Sequence, residues 1–200
     1  MTKLRGFTII EVIVTIGIFS FILVAMMIFV SNSYVSFFKL QDKTSVLSRA
    51  RLALERLIGE FREAQSGDNG AYSLAIVSPN EIAFYSNIDS DSGVERVHYW
   101  LSGGTLWRGI IDPVGMPADY PAENEITNII TEFVDNGATP TFTYYDGTFT
   151  GTQNPLIQPV NSTSVRHVGF FVSIDETPGE KLEAVVIESS ATLRNLKDNL

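Results

Sequence analysis

The sequence predicts an α+β protein, in which one long N-terminal helix is followed by an antiparallel β domain. Residues 7–30 form an apolar run of 24 residues with one charged side chain, Glu11, and no proline. Beyond it, apolar residues recur at helical spacing as far as Ala64, and strand-like segments separated by turns follow. The predicted parts are a polar leader 1–6, a membrane-length helix 7–30, an amphipathic continuation 31–65 and a β-rich domain 66–200.

The apolar run is long enough to cross a bilayer. As an α-helix it would extend roughly 36 Å, against about 30 Å for the hydrocarbon core. A lone carboxylate costs a few kcal/mol or more in hydrocarbon, so we expect Glu11 to have a partner. A secretory signal peptide has its small-residue cleavage site after the apolar segment, whereas here Gly6 precedes it. Cleavage at Gly6 would leave the helix on the mature chain.

The order of leader, Gly6, Phe7, Thr8, two apolar residues and Glu11 resembles the type IV pilin and type II secretion pseudopilin superfamily. In that family a prepilin peptidase cuts after the glycine and methylates the new N-terminal residue. The resemblance therefore implies cleavage of the Gly6–Phe7 bond and N-methylation of Phe7. The alternative is an ordinary signal anchor, which would leave Glu11 without a role.

Glu11 has two possible partners after cleavage. The new amine of Phe7 is a cation at the start of the helix, and Glu11 is an anion one turn further on. In a filament of staggered helices, the amine of one subunit can neutralise Glu11 of a neighbour. An intramolecular pair is the alternative, because a helix N-terminus itself favours a nearby anion. We expect the intermolecular pair, since it couples burial of a charge to correct register.

Composition excludes several classes of function. The chain has 200 residues, a net charge of −9, no cysteine and two histidines. The acidic balance without a basic cluster argues against nucleic-acid binding. No phosphate-binding loop, zinc-ligand set or glycine-flanked nucleophilic serine is present. His98 and His167 fall on predicted strands, where we expect packing or surface positions. We therefore expect no enzymatic activity; the chain would instead be the substrate of a peptidase.

The amphipathic segment carries one apolar stripe and one polar face. A helix packed on a sheet is favoured over a coiled coil, because β-rich sequence follows. We expect the polar face to be solvated, with Arg56 and Glu60 as an i,i+4 pair, and Tyr34, Phe37 and Phe38 to form an aromatic belt at the membrane interface. The stripe comprises Leu47, Ala50, Leu54, Leu57, Phe61 and Ala64; the polar face comprises Arg49, Arg51, Glu55, Arg56, Glu60, Arg62 and Glu63.

The remaining sequence predicts strands, turns and one short helix. A breaker at residues 66–70 ends the helix, and two proline-bearing loops cover 112–125 and 150–164. Ile126, Ile129, Ile130 and Phe133 follow helical spacing, which predicts a short helix there. The predicted strands, which we expect in a single sheet, are 72–77, 81–85, 94–101, 105–111, 141–145, 165–174 and 183–193, with a turn at 176–179 before the last.

One acidic loop is a candidate calcium site. Asn87, Asp89 and Asp91 place oxygen atoms at alternate positions ahead of a glycine, as a calcium loop begins. The EF-hand form is excluded, because the twelfth position is a histidine or a tryptophan in the two possible registers. Glu95 can still close a smaller calcium site. The alternative is a solvated β-turn without metal.

The C-terminal half suggests a subfamily. Residues 82–85, 94–101, 105–108 and 188–195 resemble those of J-type minor pseudopilins and W-type minor pilins. The alternatives are a major pilin, or a membrane-anchored adhesin or receptor that uses its β domain. The resemblance implies as partners a prepilin peptidase, other minor and major subunits, an inner-membrane assembly platform and the lipid bilayer. It also implies a single-pass protein of the cytoplasmic membrane, with its C-terminal domain outside the cytoplasm, that later enters a filament.

Aromatic residues are frequent on the predicted strands. We expect most of them in the core, and any that face outward to form a partner-binding patch. These residues are Tyr99, Trp100, Trp107, Phe142, Tyr144, Tyr145, Phe170 and Phe171.

Overall fold

The computed structural model describes residues 8–89, 91–175 and 184–194, without the side chains of residues 35–47 and 49. The chain divides into two compact units, Met1–Ser45 and Val46–Leu200. Helix α1, Ile9–Arg62, contributes residues to both units. The side chains of Phe37, Phe38 and Leu47 and the turn 176–179 lie outside the described residues.

The second unit contains two antiparallel sheets, one of five strands in the order β1-β2-β3-β4-β5 and one of three in the order β6-β7-β8. The α+β class is confirmed, and the strands form two sheets where a single one was expected. Within the described residues the strands are β1 Leu74–Ser78, β2 Glu81–Ser86, β3 Glu95–Ser102, β4 Thr105–Ile111, β5 Ile126–Thr131, β6 Phe142–Tyr145, β7 His167–Ile174 and β8 Val185–Thr192.

The apolar stripe of α1 packs against both sheets. Leu54, Leu57 and Phe61 are buried in one cluster with residues of both sheets. The ring of Phe61 makes edge contacts with Phe84 of β2, at 5.5 Å between centroids, and with Phe170 of β7, at 6.0 Å. Burial of one such side chain contributes about 2–3 kcal/mol. The helix is therefore the common support of the two sheets, and the coiled-coil alternative does not apply to this stripe.

Glu60 is not on a solvated face, so that expectation was wrong for this residue. Its carboxylate accepts hydrogen bonds from the Tyr99 hydroxyl at 2.7 Å and from the Arg108 guanidinium. The expected contact with Arg56 is also present, at 3.6 Å. β3 and β4 carry Tyr99 and Arg108 to the core face opposite Glu60, and a buried cation there requires an anion. The network joins helix and sheet by charge as well as by packing.

The protonation of this network is fixed by its surroundings. Burial, together with the neighbouring Glu60 carboxylate, raises the pKa of Tyr99 well above its usual value. Burial opposes the charge of Arg108, but its contacts with Tyr99 and Glu60 outweigh this and raise its pKa. Arg108 therefore stays charged, and Tyr99 stays neutral, donating its hydroxyl hydrogen to Glu60 and accepting from Arg108 Nε.

The short helix predicted at 126–133 is wrong: residues Ile126–Thr131 form β5, paired with β4. Isoleucines at 126, 129 and 130 satisfy helical spacing, but the segment is rich in β-branched residues, which favour strands. β5 ends at Thr131, and two residues later Phe133 takes a positive φ of 62°. The loop 150–164 is mostly exposed, as predicted.

The aromatic residues divide between the core and the outer faces. Of the eight aromatic residues predicted on strands, four are buried and four are half-buried. Trp100 stacks on Trp107 with 6.1 Å between ring centroids. The patch interpretation stays a prediction. The buried members are Tyr99, Phe142, Tyr144 and Phe170; the half-buried ones are Trp100, Trp107, Tyr145 and Phe171.

We predict that Glu60→Gln destabilises the β domain by about 3 kcal/mol, because it leaves the buried Arg108 cation without its anion. Urea unfolding of the full chain in mild detergent, followed by tryptophan fluorescence, measures this change. Glu63→Gln is the control: it removes an exposed carboxylate directly after the same helix and should change stability by less than about 0.5 kcal/mol. Equal effects of the two substitutions would contradict a structural role for the ion pair.

Candidate functional site

The most exposed apolar surface of the described chain lies at its N-terminal end. Ile9–Tyr34 is long and apolar enough to cross a membrane, by length and composition. Every described side chain from Thr8 to Tyr34 is exposed. Apolar surface in contact with water costs about 25 cal/mol per Å². A surface of this size needs a cover of lipid or of other protein.

Two hydroxyl groups in this span are satisfied by the helix itself. Thr15 Oγ1 donates to the carbonyl oxygens of Glu11 and Val12, both at 2.9 Å. Ser33 Oγ donates to the carbonyl of Phe29 at 2.8 Å. Such bonds let a hydroxyl enter an apolar surrounding without water. Neither residue therefore marks a polar binding site.

Glu11 forms a capping box with Thr8. Its Oε2 accepts hydrogen bonds from Thr8 N and Thr8 Oγ1, both at 3.2 Å, and its own N–H donates to Thr8 Oγ1 at 3.3 Å. Reciprocal bonds of this kind satisfy N–H groups that a helix start leaves free. Oε1 of Glu11 makes no hydrogen bond within the described residues. Oε2 is thus committed to the cap.

Thr8 caps the helix, a role that was not predicted from the sequence. The spacing of a threonine and a glutamate three residues apart, ahead of an apolar run, is itself the signature of a capping box. Gly6 and Phe7 lie outside the described residues, so cleavage and methylation there stay predictions.

The acidic loop brings its three carboxylates together. Oxygen atoms of Asp89, Asp91 and Glu95 lie within 4.8 Å of one another. Asp89 and Asp91 are exposed, and each accepts a backbone N–H two residues ahead, at 2.8 and 2.7 Å. Asn87 turns its amide nitrogen to the Asp91 carbonyl at 3.1 Å. The oxygen donors suit a hard cation such as calcium, and the same bonds also complete a turn without one.

Glu95 is the buried member of this loop. Its Oε2 accepts the Ile88 N–H at 2.8 Å, and its side chain is only 1% exposed. Burial, reinforced by the nearby Asp89 and Asp91, raises the pKa of Glu95. A cation bound here would remove that repulsion. Calcium binding at this loop stays a prediction, and a turn without metal stays its alternative.

His98 is enclosed by carboxylates. Its Nδ1 lies 2.8 Å from Glu125 Oε1 and its Nε2 lies 3.0 Å from Glu81 Oε1, while the ring stacks on Trp100 at 4.4 Å. Glu125 lies over Gly109, where an added Cβ would clash with its carboxylate. With both ring nitrogens engaged, His98 has none left for a substrate. Its surroundings are those of a packed residue.

His167 is also engaged. Its Nδ1 lies 2.8 Å from Thr192 Oγ1 on β8, and burial lowers its pKa. Neither histidine has the geometry of a nucleophile or general base in the described part of the chain.

Comparisons with known proteins give matches among solved structures. No protein-family model and no curated protein matches the chain. The chain is similar in fold to one from the GspK-GspI-GspJ complex of the type 2 secretion system of enterotoxigenic Escherichia coli, with a TM-score of 0.47 and 16% identity. The match covers 74% of this chain and 97% of that one. The assignment of function therefore rests on the N-terminal motif and the geometry around it.

We predict that Glu95→Gln is at least as stable as the wild type at pH 7 without calcium. Because the pKa of Glu95 is raised in the folded protein, this group stabilises the fold at low pH, and the stabilisation is lost as the pH rises through the folded-state pKa. Glutamine stays neutral at pH 7 and can still accept the Ile88 N–H. Thermal unfolding of both proteins at pH 4 and pH 7 tests this, with the exposed Glu123→Gln as control.

The same measurement tests the calcium site. Millimolar calcium should raise the unfolding temperature of the wild type and leave Glu95→Gln unchanged if the loop binds the ion. No shift in the wild type, or equal shifts in both proteins, would remove the calcium interpretation.

Proposed function

We propose that this chain is a structural subunit of a type IV pilus or a type II secretion pseudopilus, and specifically a minor pilin or pseudopilin. The observation that carries the proposal is a wholly exposed apolar segment of α1, residues 9–34, whose one acid, Glu11, lies at the helix start three residues after the motif Gly6-Phe7-Thr8. A β domain packed on the C-terminal part of the same helix completes the arrangement expected of this family.

The apolar helix supports this function because its surface can be buried either in lipid or against neighbouring helices. Lipid covers residues 7–30 while the subunit is stored in the cytoplasmic membrane, and neighbouring helices cover them in the filament. The β domain lies outside the cytoplasm in both states. Withdrawal into water would expose the whole apolar surface, so extraction is coupled to an assembly platform.

The N-terminal amine and Glu11 set the register between subunits. After cleavage at Gly6, the ammonium of Phe7 in one subunit pairs with Glu11 of its neighbour in the apolar interior. The capping box supports this step, because it uses Oε2 of Glu11 and leaves Oε1 for the neighbour. A charge pair in a water-free setting is strong enough to select one stagger of the helices over others.

The subunit acts near the filament tip, where it initiates assembly with other minor subunits and is not itself a catalyst. This finer placement rests on the resemblance of the C-terminal half to minor subunits. Co-purification with other short-leader subunits supports it, whereas recovery of this chain as the bulk component of the filament would make it a major pilin.

We predict that the mature chain begins with N-methylphenylalanine at position 7. Co-expression with a prepilin peptidase, followed by intact-mass and peptide mass spectrometry, measures the loss of residues 1–6 and one added methyl group. Gly6→Leu should remain uncleaved because the larger side chain would not fit beside the scissile bond. A native chain that keeps Met1 beside an active peptidase would overturn the proposal.

We predict that Glu11→Gln is cleaved normally but enters filaments at least about tenfold less than the wild type, in line with the loss of one buried charge pair. Glutamine can still close the capping box, so this variant removes the charge and keeps the helix start. Quantitative immunoblots of sheared filaments measure incorporation. Thr15→Val, which removes another polar group of the span, is the control and should assemble like the wild type.

A further inference from the structure

β5 is an open edge of the five-stranded sheet. It pairs with β4, and within the described residues its other side has no backbone partner. In an antiparallel strand, alternate residues turn their N–H and C=O groups away from the neighbour. These groups form a template on which another strand can pair.

The edge is accessible from both faces of the sheet. Residues 126–129 are all exposed, with Ile126 at 62% and Ile129 at 52%. Ile126 pairs with Ile110, and Ile129 pairs with Trp107. The two isoleucines are three residues apart, and because successive side chains of a strand alternate between its faces, they lie on opposite faces of the sheet. Ile130 packs against the core and anchors the strand. An added strand would find an apolar neighbour on each face.

The charge around this edge is of one sign. From Asp112 to Asp135 the chain has six acidic residues and no lysine or arginine. Glu123 and Glu132, both exposed, lie on either side of β5. Arg108, the cation on the neighbouring strand, directs its guanidinium to Glu60 in the core. The edge therefore presents negative charge at both ends.

We propose that the β5 edge binds an extended segment of another protein by strand addition, and that this segment has alternating apolar residues flanked by lysine or arginine. The exposed backbone groups select a strand, and the flanking glutamates select basic ends. A second copy of this chain is disfavoured, because antiparallel pairing of two β5 strands would bring Glu123 and Glu132 of the two copies together. The edge can serve such a partner whether or not the apolar helix enters a filament.

A model peptide tests strand addition directly. The probe is a fluorescein-labelled peptide of alternating valine and threonine with two lysines at each end, titrated into the full chain in detergent. We expect binding that weakens with salt, and slower amide hydrogen exchange at residues 126–131. A peptide N-methylated at alternate residues keeps its charge but loses strand donors, and should bind about tenfold more weakly. No binding of the unmodified peptide, or protection confined to other strands, would overturn the proposal.

A charge exchange tests the basic flanks. Glu123→Lys with Glu132→Lys should weaken the lysine-flanked peptide about tenfold and strengthen a glutamate-flanked one. The control, Glu63→Lys with Glu188→Lys, changes net charge equally at exposed positions away from β5 and should leave both affinities nearly unchanged. Equal loss in the two double variants would show attraction to overall charge and would overturn the assignment to β5.

Cross-linking tests the alternative occupant. The chain has no cysteine, so Asn128→Cys introduces a single thiol at the exposed centre of β5. We expect no more disulfide dimer under mild oxidation than from Thr150→Cys, placed in an exposed loop. A dimer specific to Asn128→Cys would identify a second copy as the partner and overturn the proposal of a basic one.

Discussion

Burial of one stripe of α1 against two sheets is the contact on which the β domain depends. Phe61 contacts a phenylalanine of each sheet, and Glu60, one residue earlier, holds Arg108 and Tyr99. Adjacent residues of a helix point in different directions, so one turn reaches both the apolar core and the buried ion pair. The two sheets are thereby fixed to the same segment of helix, and the edges and loops described above take their positions from it.

The same helix has a different surrounding at its N-terminal end. There every described side chain is exposed and most are apolar, while the hydroxyls of Thr15 and Ser33 donate to the helix's own carbonyls. This surface is suited to lipid or to other helices, and Glu11 is its one charged side chain. The proposed structural subunit, which changes its surroundings, requires this combination of a mostly apolar surface and one charge that a neighbour neutralises.

Much of the fold could be predicted because its signals are local. Alternating residues between turn sequences marked most strands, and the spacing of Leu54, Leu57 and Phe61 marked the buried face of the helix. Residues 126–131 were misassigned because Ile126, Ile129 and Ile130 follow helical spacing; what makes them a strand is their pairing with β4, which lies in another segment of the sequence. Glu60 was placed in solvent because its partner Arg108 lies 48 residues away. Thr8 is different, since its relation to Glu11 was readable from their spacing alone.

The position of Thr8 as the cap residue has a consequence for the chemistry of the new terminus. Removal of residues 1–6 would leave a single residue, Phe7, ahead of an ordered first turn, so the ammonium could lie no further than about 5 Å from the Thr8 Cα. With only one residue between it and the ordered helix, the ammonium has an almost fixed position at the N-terminus of the helix. The position of each helix relative to its neighbour would then be set by the position of this charge.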